Sequence, residues 1–323
     1  MAASRNKPSV DLPARVGKFL ATHLTGSESL CVGLSGGCDS VVLLHILSQL
    51  GSAPSLSAIH VHHGLSPNAD RWASFCRDYC ARLKIALLVQ NVDVELGQGD
   101  GLESAARRAR YKVFSEMQAD CLVLAQHRGD QAETVLFNLL RGAGVVGAAA
   151  MPAVRDCAGK PLLRPLLDIS RAEIETYALS HQLTWIEDES NQDISFSRNY
   201  LRHEIFPALR ERFPAVESSL AQAAANFSEA ASLLDELAEQ DWCHVQEGEV
   251  AQLGLLRQLS TLRFKNLLRY RLRQLGWRMP AASRLDEYVR QLQTAGPDRH
   301  PELVLSEGRM YSASGRLYWL VEK

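Results

Sequence analysis

The sequence predicts an α/β protein with a doubly wound, mostly parallel sheet and a smaller, mainly helical carboxyl-terminal domain. Three observations support this fold class. Short apolar segments alternate with helical patterns from residue 29 to 181, which is typical of βαβ units. A glycine-rich turn joins the first of these segments to an apolar helix, where parallel sheets place their ligands. Helical patterns then dominate residues 198–275, and strand-forming residues return at 302–321.

Each element of the parallel region follows from a local pattern. Strands are predicted at residues 29–34, 56–61, 85–92, 121–125 and 162–163. Helices are predicted at residues 40–49, 102–117 and 130–140. Ser66 and Pro67 resemble an N-cap followed by proline at the first helical position, which opens a helix to residue 83. Ser170 and Glu173 form a capping box for a helix to about residue 181.

The composition and length of the chain exclude some classes of protein and predict the number of domains. The 323 residues carry 35 basic and 37 acidic side chains, so the charge of −2 excludes a grossly basic nucleic-acid coat but not a local basic patch. The length predicts about two domains, and the change in composition places them at residues 1–215 and 216–323. The first residues have no apolar core, so a secretory signal is not expected there, and no apolar run approaches the roughly 20 residues that span a bilayer.

The seven cysteines are scattered and include no Cys-x-x-Cys pair. This usage favours reduced thiols over a disulfide framework, and it predicts a cytoplasmic protein without a membrane partner.

The second domain separates its charges along the chain. Residues 216–250 contain eight acidic and no basic side chains, whereas residues 251–279 contain seven basic and no acidic ones. Six residues form an apolar stripe between the basic ones: Leu262, Phe264, Leu267, Leu268, Leu272 and Leu275. The pattern fits a basic helix paired with the acidic one, and it fits equally a surface for nucleic-acid phosphates. The second interpretation assigns that contact to Arg263, Lys265, Arg269 and Arg273.

The sharpest local signal is the turn at residues 34–40 (LSGGCDS), between a predicted strand and a predicted helix. Its two glycines allow a tight turn that brings N–H groups close to an anion, and the helix N-terminus adds partial positive charge. The hydroxyls of Ser35 and Ser40 can donate to phosphate oxygens. Asp39 is explained if it holds Mg²⁺ against those phosphates. The turn therefore predicts a phosphate site.

Two other motifs compete with this interpretation. Residues 33–37 (GLSGG) fit the G-x-S-x-G elbow of serine hydrolases, but only one predicted strand precedes Ser35, and no His-Gly-Gly oxyanion motif stands upstream. Residues 142–147 (GAGVVG) match a dinucleotide-binding fingerprint, but they follow a helix rather than a strand. Neither motif has the structural context that it requires, and no Walker-type sequence occurs.

Further motifs narrow the function. The turn has the SGGxDS form of the N-type ATP pyrophosphatase loop (PP-loop), and the chain between residues 29 and 207 resembles tRNA(Ile)-lysidine synthase. The resemblance is carried, in order, by residues 60–65 (HVHHGL), 103–111 (ESAARRARY), 130–134 (DQAET), 164–167 (RPLL), 188–191 (DESN) and 198–202 (RNYLR). It implies a Rossmann-like PP-loop fold and an ATP-dependent ligase. Such an enzyme adenylates C2 of the wobble cytidine in the CAU anticodon of an isoleucine tRNA, and L-lysine then displaces AMP to form lysidine.

The resemblance also implies roles for particular residues, with ATP and Mg²⁺ as cofactors. The nucleotide would be bound by Ser35, Gly36, Gly37, Cys38, Asp39, Ser40 and His60. The catalytic set would be Asp39, Asp130, Arg107, Arg110 and Arg198, and tRNA would be bound by Arg202 together with the basic residues of the second domain. Asp39 and Asp130 are the expected metal ligands, although Asp130 could instead act on the lysine amine or simply cap its helix. His60 could equally be a hydrogen-bonded core histidine.

The sequence departs from the family pattern before Gln131. Paired histidines and paired aspartates are usual there, whereas this chain reads Gln126-His127-Arg128-Gly129-Asp130. The change keeps open a degenerate PP-loop protein that binds tRNA or nucleotide without transferring lysine. A tRNA thiolase of the same superfamily is disfavoured because no catalytic cysteine pair is evident. The oligomeric state is left open, with a homodimer as one option.

Overall fold

The computed structural model describes residues 11–50, 55–95, 101–296 and 298–321. The chain forms two compact units, with the boundary after Asn226. The division at residue 215 that the composition indicates stays a prediction. The first ten residues, which carry part of the argument against a signal peptide, lie outside the described residues. Within the described ranges, no helix is both long enough and apolar enough to cross a membrane.

The first unit contains six strands and most of the helices. The strands are β1 (Leu30–Gly33), β2 (Leu56–His62), β3 (Ala86–Asn91), β4 (Cys121–Val123), β5 (Val154–Cys157) and β6 (Lys160–Leu163). The helices are α1 (Leu12–His23), α2 (Cys38–Leu50), α3 (Ala69–Leu83), α4 (Leu102–Ser115), α5 (Arg128–Leu140), α6 (Val145–Ala148), α7 (Arg171–Ser180), α8 (Ser197–Tyr200) and α9 (Phe206–Arg212). A 3₁₀ turn at Glu189–Gln192 and a π-helical turn at Leu201–Ile205 complete it, and α10 (Val216–Val245) contributes to both units.

The six strands form one sheet in the order β3-β2-β1-β4-β6-β5, parallel except for the edge strand β5. Leu30 of β1 pairs with Leu56 of β2 on one side and with Cys121 of β4 on the other. The chain therefore winds outward from β1 in one direction and returns on the other side at β4. This arrangement confirms the predicted doubly wound α/β class and places a crevice beyond the carboxyl ends of β1 and β4.

Helix α2 has buried side chains around most of its circumference, including Val41, Val42, Leu43 and Leu44. Such a helix is stable only when other elements cover it on several sides. The core that contains it also takes Val32 from β1, together with residues of α1, α3 and α7. The residues at the start of α2 are therefore held firmly beside the crevice.

Three local predictions can be compared with the structure: the first differs from it, the second is incomplete and the third is confirmed. Helix α3 begins at Ala69 with Asn68 as N-cap, not at Pro67, because Ser66 Oγ accepts a hydrogen bond from Asn68 N at 3.1 Å within a preceding turn. The last strand is confirmed, but it belongs to a β5–β6 hairpin whose first strand the sequence did not indicate. The capping box at Ser170 is present as predicted.

The second unit combines helices with an antiparallel sheet. Its further elements are β7 (Gln246–Glu247), β8 (Val250–Gln252), α11 (Leu253–Leu256), α12 (Thr261–Gln274), α13 (Ala282–Thr294), β9 (Glu302–Leu305), β10 (Gly308–Ala313) and β11 (Arg316–Val321). The sheet order is β7-β8-β11-β10-β9. Phe264, Leu267, Leu268 and Leu272 of α12 enter the core as the stripe predicts, but Leu262 is 76% exposed because it lies on the opposite face.

The basic residues of α12 are largely paired within their own unit. Arg263 donates from Nε to Asp241 at 3.1 Å, Arg273 pairs with Asp235, and Lys265 Nζ lies 2.5 Å from Asp286. Since Asp235 and Asp241 belong to the acidic helix α10, the structure realises the paired-helix interpretation for these two arginines. A nucleic-acid contact by Arg263, Lys265, Arg269 and Arg273 stays a prediction.

Candidate active site

The predicted phosphate loop leaves β1 at the crevice and enters α2. Gly36 has φ +91°, a left-handed conformation that strains other residues, and a Cβ there would lie 3.0 Å from Ile186 Cδ1 and 3.3 Å from Cys76 Sγ. Ile186 N donates to Gly36 O at 2.9 Å, so the chain at residue 186 lies directly against the loop. Position 36 therefore requires glycine for both conformation and space.

The Ser40 hydroxyl organises this loop from inside. Its Oγ accepts from the backbone N–H groups of Ser35 and Gly36, both at 3.2 Å, and lies 3.1 Å from Ser35 Oγ. Ser40 is only 5% exposed, so the hydroxyl is a fixed part of the turn. The loop thus already has the curvature that an anion site needs.

A cleft of about 740 Å³ opens beside the loop. Its lining includes ten of the residues predicted to act: Ser35, Gly37, Cys38, Asp39, Ser40, His60, Arg107, Arg110, Asp130 and Arg202. Its volume lies within the range of ordinary small-molecule sites. The fold therefore brings the loop, the basic helix α4 and the start of α5 to one cavity.

Asp39 is held by an arginine that the sequence did not single out. Arg171 Nη1 donates to both carboxylate oxygens of Asp39, at 2.7 and 2.6 Å, and Arg171 Nε donates to Glu175 at 2.7 Å. Burial raises the pKa of Asp39, and the charges of His127 and Arg171 oppose that rise. The capping box was the only local signal at this position, and it does not indicate a contact with the loop.

His127 lies between the two predicted metal ligands. Its Nε2 is 3.9 Å from Asp39 Oδ1 and 3.6 Å from Asp130 Oδ2. Its Nδ1 accepts a hydrogen bond from Gly129 N at 3.0 Å and so caps α5. His127 is therefore the N-cap, while Asp130 is the third helical residue and its Oδ2 accepts from His127 N at 3.0 Å. Asp130 is therefore not the N-cap of α5, but it forms a reciprocal capping box with His127.

Arg202 joins two acidic residues of α5. It donates from Nη2 to Asp130 at 3.0 Å and from Nε to Glu133 at 2.7 Å. Burial raises the pKa of Glu133, although the hydrogen bonds of Arg202 oppose the rise. Burial also disfavours the charge on Arg202, but Glu133 and Asp130 outweigh it and raise the pKa of Arg202. The predicted tRNA-binding arginine is thus a central member of the cleft.

Arg198 lies elsewhere. It pairs through Nε with Glu103 at 3.1 Å and is not among the described residues that line the cleft. A π-helical turn at Leu201–Ile205 follows α8, and Arg198 lies over the ring of Phe137 on α5, whereas Arg202 pairs with Glu133 on the same helix. A catalytic role for Arg198 stays a prediction that this geometry does not favour.

The other wall of the cleft is basic and aromatic. Arg110 Nε donates to His63 Nε2 at 3.4 Å, and Arg107 Nη2 donates to the Tyr111 hydroxyl at 3.4 Å. His60 is 5% exposed and its Nδ1 lies 2.8 Å from Leu34 O, so it is a hydrogen-bonded buried histidine that also lines the cleft. Burial lowers the pKa of His60, because it disfavours the charged form of the ring.

The glutamine that departs from the family pattern has a structural partner. Gln126 Oε1 accepts from Nε of Arg164 at 3.0 Å, and Arg164 Nη1 donates to Pro152 O at 2.6 Å. Arg164 is 1% exposed, so the amide oxygen satisfies part of a buried cation. Gln126 is therefore built into the structure of the site.

A divalent cation is compatible with the acidic residues of the cleft. Among the described residues, no group of three or more histidine, cysteine or acidic side chains is arranged to hold a metal ion. Mg²⁺, however, is commonly bound by one or two carboxylates together with substrate phosphates, and Asp39 and Asp130 lie on either side of His127 beside the loop. The donor set fits a metal that arrives with a nucleotide.

The fold and the cleft define a PP-loop protein, a class that uses ATP. Residues 8–209 match the PP-loop domain family, and residues 252–318 match the TilS substrate binding domain. The U34-tRNA thiolase NcsA from Methanococcus maripaludis with its 4Fe-4S cluster superposes with a TM-score of 0.59 at 19% identity, over 68% of this chain and 78% of that chain. At that identity, the likeness shows the fold alone.

Two relatives are much closer in sequence. The tRNA(Ile)-lysidine synthase of Pseudomonas fluorescens (strain Pf0-1) is 46% identical over 97% of this chain and 73% of the relative. That of Nitrosomonas europaea is 44% identical over 93% of this chain and 67% of the relative. The chain belongs to the tRNA(Ile)-lysidine synthase family.

Proposed function

We propose that this protein is an ATP-dependent ligase that joins L-lysine to C2 of the wobble cytidine in the CAU anticodon of an isoleucine tRNA. The products are lysidine, AMP and pyrophosphate. The observation that carries the proposal is the single cleft in which a phosphate loop, two arginines of α4 and the Asp39–His127–Asp130 group meet. Family membership supplies the identity of the RNA and of the amino acid.

In the first step, the cytidine O2 attacks the α-phosphorus of ATP and pyrophosphate leaves. The loop from Ser35 to Ser40 would hold the leaving pyrophosphate, because its internal hydrogen bonds to Ser40 Oγ already give it the curvature of an anion site. Arg107 and Arg110 line the opposite side of the cleft and would neutralise charge at the α-phosphate. Bound Mg²⁺ would neutralise phosphate charge beside Asp39 and Asp130.

In the second step, the lysine amine attacks C2 and the C2–O2 bond breaks, so AMP leaves with that oxygen. The amine must first lose a proton, and Asp130, which lines the cleft, is a carboxylate that could accept it. Arg202 holds Asp130 and Glu133 together from the other side. Asp188 also lines the cleft and is a candidate for binding a lysine ammonium group.

The structure offers little support for two competing functions. A thiolase would need a reactive thiol, but Cys38, the one cysteine among the described lining residues, is buried, and burial raises its pKa to about 11. A serine hydrolase would need Ser35 beside a histidine base, whereas Ser35 Oγ contacts Ser40 Oγ and Gly37 N. We propose a cytoplasmic location and leave the oligomeric state open.

The test uses purified protein, ATP with Mg²⁺, radiolabelled L-lysine and a transcript of the isoleucine tRNA. We expect label in that RNA and none in an elongator methionine tRNA with the same anticodon. Transfer to both RNAs would remove the specificity that we propose. Binding of the transcript without any transfer would instead favour the degenerate PP-loop protein.

A further inference from the structure

We infer that a row of arginine–aromatic contacts on the first unit binds the RNA backbone beside the target nucleotide. The arginine row comprises Arg155, Tyr111, Arg107, Glu103, Arg198, Phe137 and Arg141. The inference rests on the proposed function, and it names the surface on which the RNA would lie. Arg141 and Arg155 have no place in the family resemblance and no role in the chemistry above.

The first half of the row surrounds Tyr111. The guanidinium carbon of Arg155 lies 4.7 Å from the centre of the Tyr111 ring, and that of Arg107 lies 5.0 Å from it. Arg155 comes from the edge strand β5 and Arg107 from α4, so two separate elements place a cation on one ring. A guanidinium stacked in this way keeps a fixed orientation and can still donate to an anion.

The second half of the row surrounds Phe137 of α5. Arg141 lies 5.2 Å and Arg198 lies 5.7 Å from the centre of that ring. The two halves are joined by Glu103, which pairs with Arg198 at 3.1 Å and stands four residues before Arg107 on α4. The row therefore extends from β5 across α4 to α8 and α5, with Glu103 and Arg107 four residues apart on one face of α4.

The charge of the row is strongly unbalanced. It holds four arginines and a single carboxylate, and that carboxylate pairs with Arg198. None of the three remaining arginines has an ion pair with an acidic residue in the described part of the chain. By contrast, Arg263, Arg273 and Lys265 of the second unit all have such partners. Unpaired, pre-positioned guanidinium groups are suited to phosphate oxygens.

The row also begins at the cleft. Arg107 and Tyr111 line the cavity that holds the phosphate loop, whereas Arg155 and Arg141 do not, so the row leads outward from the place of reaction. An RNA strand whose cytidine enters the cleft must pass over its rim with phosphates on both sides of that nucleotide. The row offers positive charge along this path, which favours RNA over a small anion as its occupant.

The test measures binding of the isoleucine tRNA transcript to Arg155→Ala, Arg141→Ala and the double variant across a range of salt concentrations. We expect each single change to weaken binding about tenfold. The plot of log affinity against log salt should become less steep by about 0.7 to 0.9 for each lost phosphate contact. Arg155→Lys and Arg141→Lys keep the charge, so they should retain most of the salt slope even where the alanine variants fold poorly.

Arg82→Ala is the matched control. Arg82 lies 5.4 Å from the centre of the Tyr79 ring, so this variant loses the same charge and the same kind of stacking at a site that does not line the cleft. Its RNA affinity should equal that of the wild type. If the Arg155 and Arg141 alanine variants kept the RNA affinity and the salt slope of the wild type, the arginine row would not bind the RNA backbone. If the wild-type protein bound the RNA but transferred no lysine, the proposed function would be wrong, whereas RNA binding by the arginine row would still stand.

Discussion

An ideal Cβ atom on Gly129 would lie 2.8 Å from Cε1 and 3.1 Å from Nδ1 of His127. Such contacts are closer than a side chain tolerates, so the imidazole of His127 can occupy its place between Asp39 and Asp130 only because residue 129 is glycine. The departure from the family pattern at this position is thus coupled to the orientation of a neighbouring ring. Restoring aspartate at position 129 would displace that ring.

Gly129→Ala should stabilise the protein only when His127 is absent. Gly129 is the second residue of α5, so its replacement by alanine should stabilise by at most the roughly 0.5–1 kcal/mol of a helix interior. In the wild-type background, the new methyl group displaces the His127 cap, which is worth about 1 kcal/mol, so the gain should vanish. In a His127→Ala background, the full gain should appear. Urea unfolding of the wild type, the two single variants and the double variant measures the effect of Gly129→Ala in each background. Equal effects with and without His127 would show that the two residues are not coupled.

Arg202→Ala should destabilise the first unit by about 1–3 kcal/mol, because it leaves the buried carboxylate of Glu133 without its partner. Adding Glu133→Gln should recover part of this loss, since a neutral amide is easier to bury. Thermal unfolding compares the three proteins. No recovery in the double variant would mean that Glu133 is not the cause.

Arg171→Ala should move the acid limb of the pH profile of kcat to higher pH. Burial already raises the pKa of Asp39 and Arg171 opposes that rise, so removal of Arg171 should raise the pKa further and leave Asp39 protonated over more of the acid range. Arg15→Ala is the control, because Arg15 pairs with Glu173 on the same helix but not with Asp39. A profile that does not shift would show that Asp39 does not limit the rate.

Between pH 7 and pH 5, the free energy of unfolding should fall less in His63→Gln than in the wild type. Burial, aided by the charge of Arg110, lowers the pKa of His63 to about 4, from an ordinary value of 6.5. Between these values the unfolded chain binds the proton and the folded chain does not. The stabilising contribution is therefore fully present above about pH 6.5 and is lost as the pH falls toward 4. Urea unfolding at both pH values tests this, with His244→Gln, an exposed histidine, as control.

Alkylation of the native protein at pH 8 should modify Cys243 first. Cys243 is exposed, whereas the other six cysteines are buried. Burial also raises the pKa of Cys38 to about 11 and of Cys76 to about 12, so these thiols hold few thiolates. Mass spectrometry should find one rapid adduct, absent from Cys243→Ser. Rapid modification of Cys38 would reopen the thiolase alternative.

The main elements of the fold could be predicted because each has a strong local cause. The strands of the parallel sheet are short apolar runs, and the capping box at Ser170 is a local hydrogen-bond pattern. Strand β5 was missed because it contains Arg155 and Asp156 and lies at the sheet edge, where one side needs no apolar cover. The π-helical turn after Tyr200 likewise has no local signature in the sequence.

The sequence by itself determined the α/β class, the phosphate loop and the resemblance to lysidine synthases, because these depend on residues that are neighbours along the chain. Only the tertiary structure decided which charges face each other. Arg171 meets Asp39 across 132 residues, and Arg202 meets Asp130 across 72. Such pairs depend on the order of strands in the sheet and on the position at which each helix begins. No local pattern contains that information, and the chemistry of the cleft depends on it.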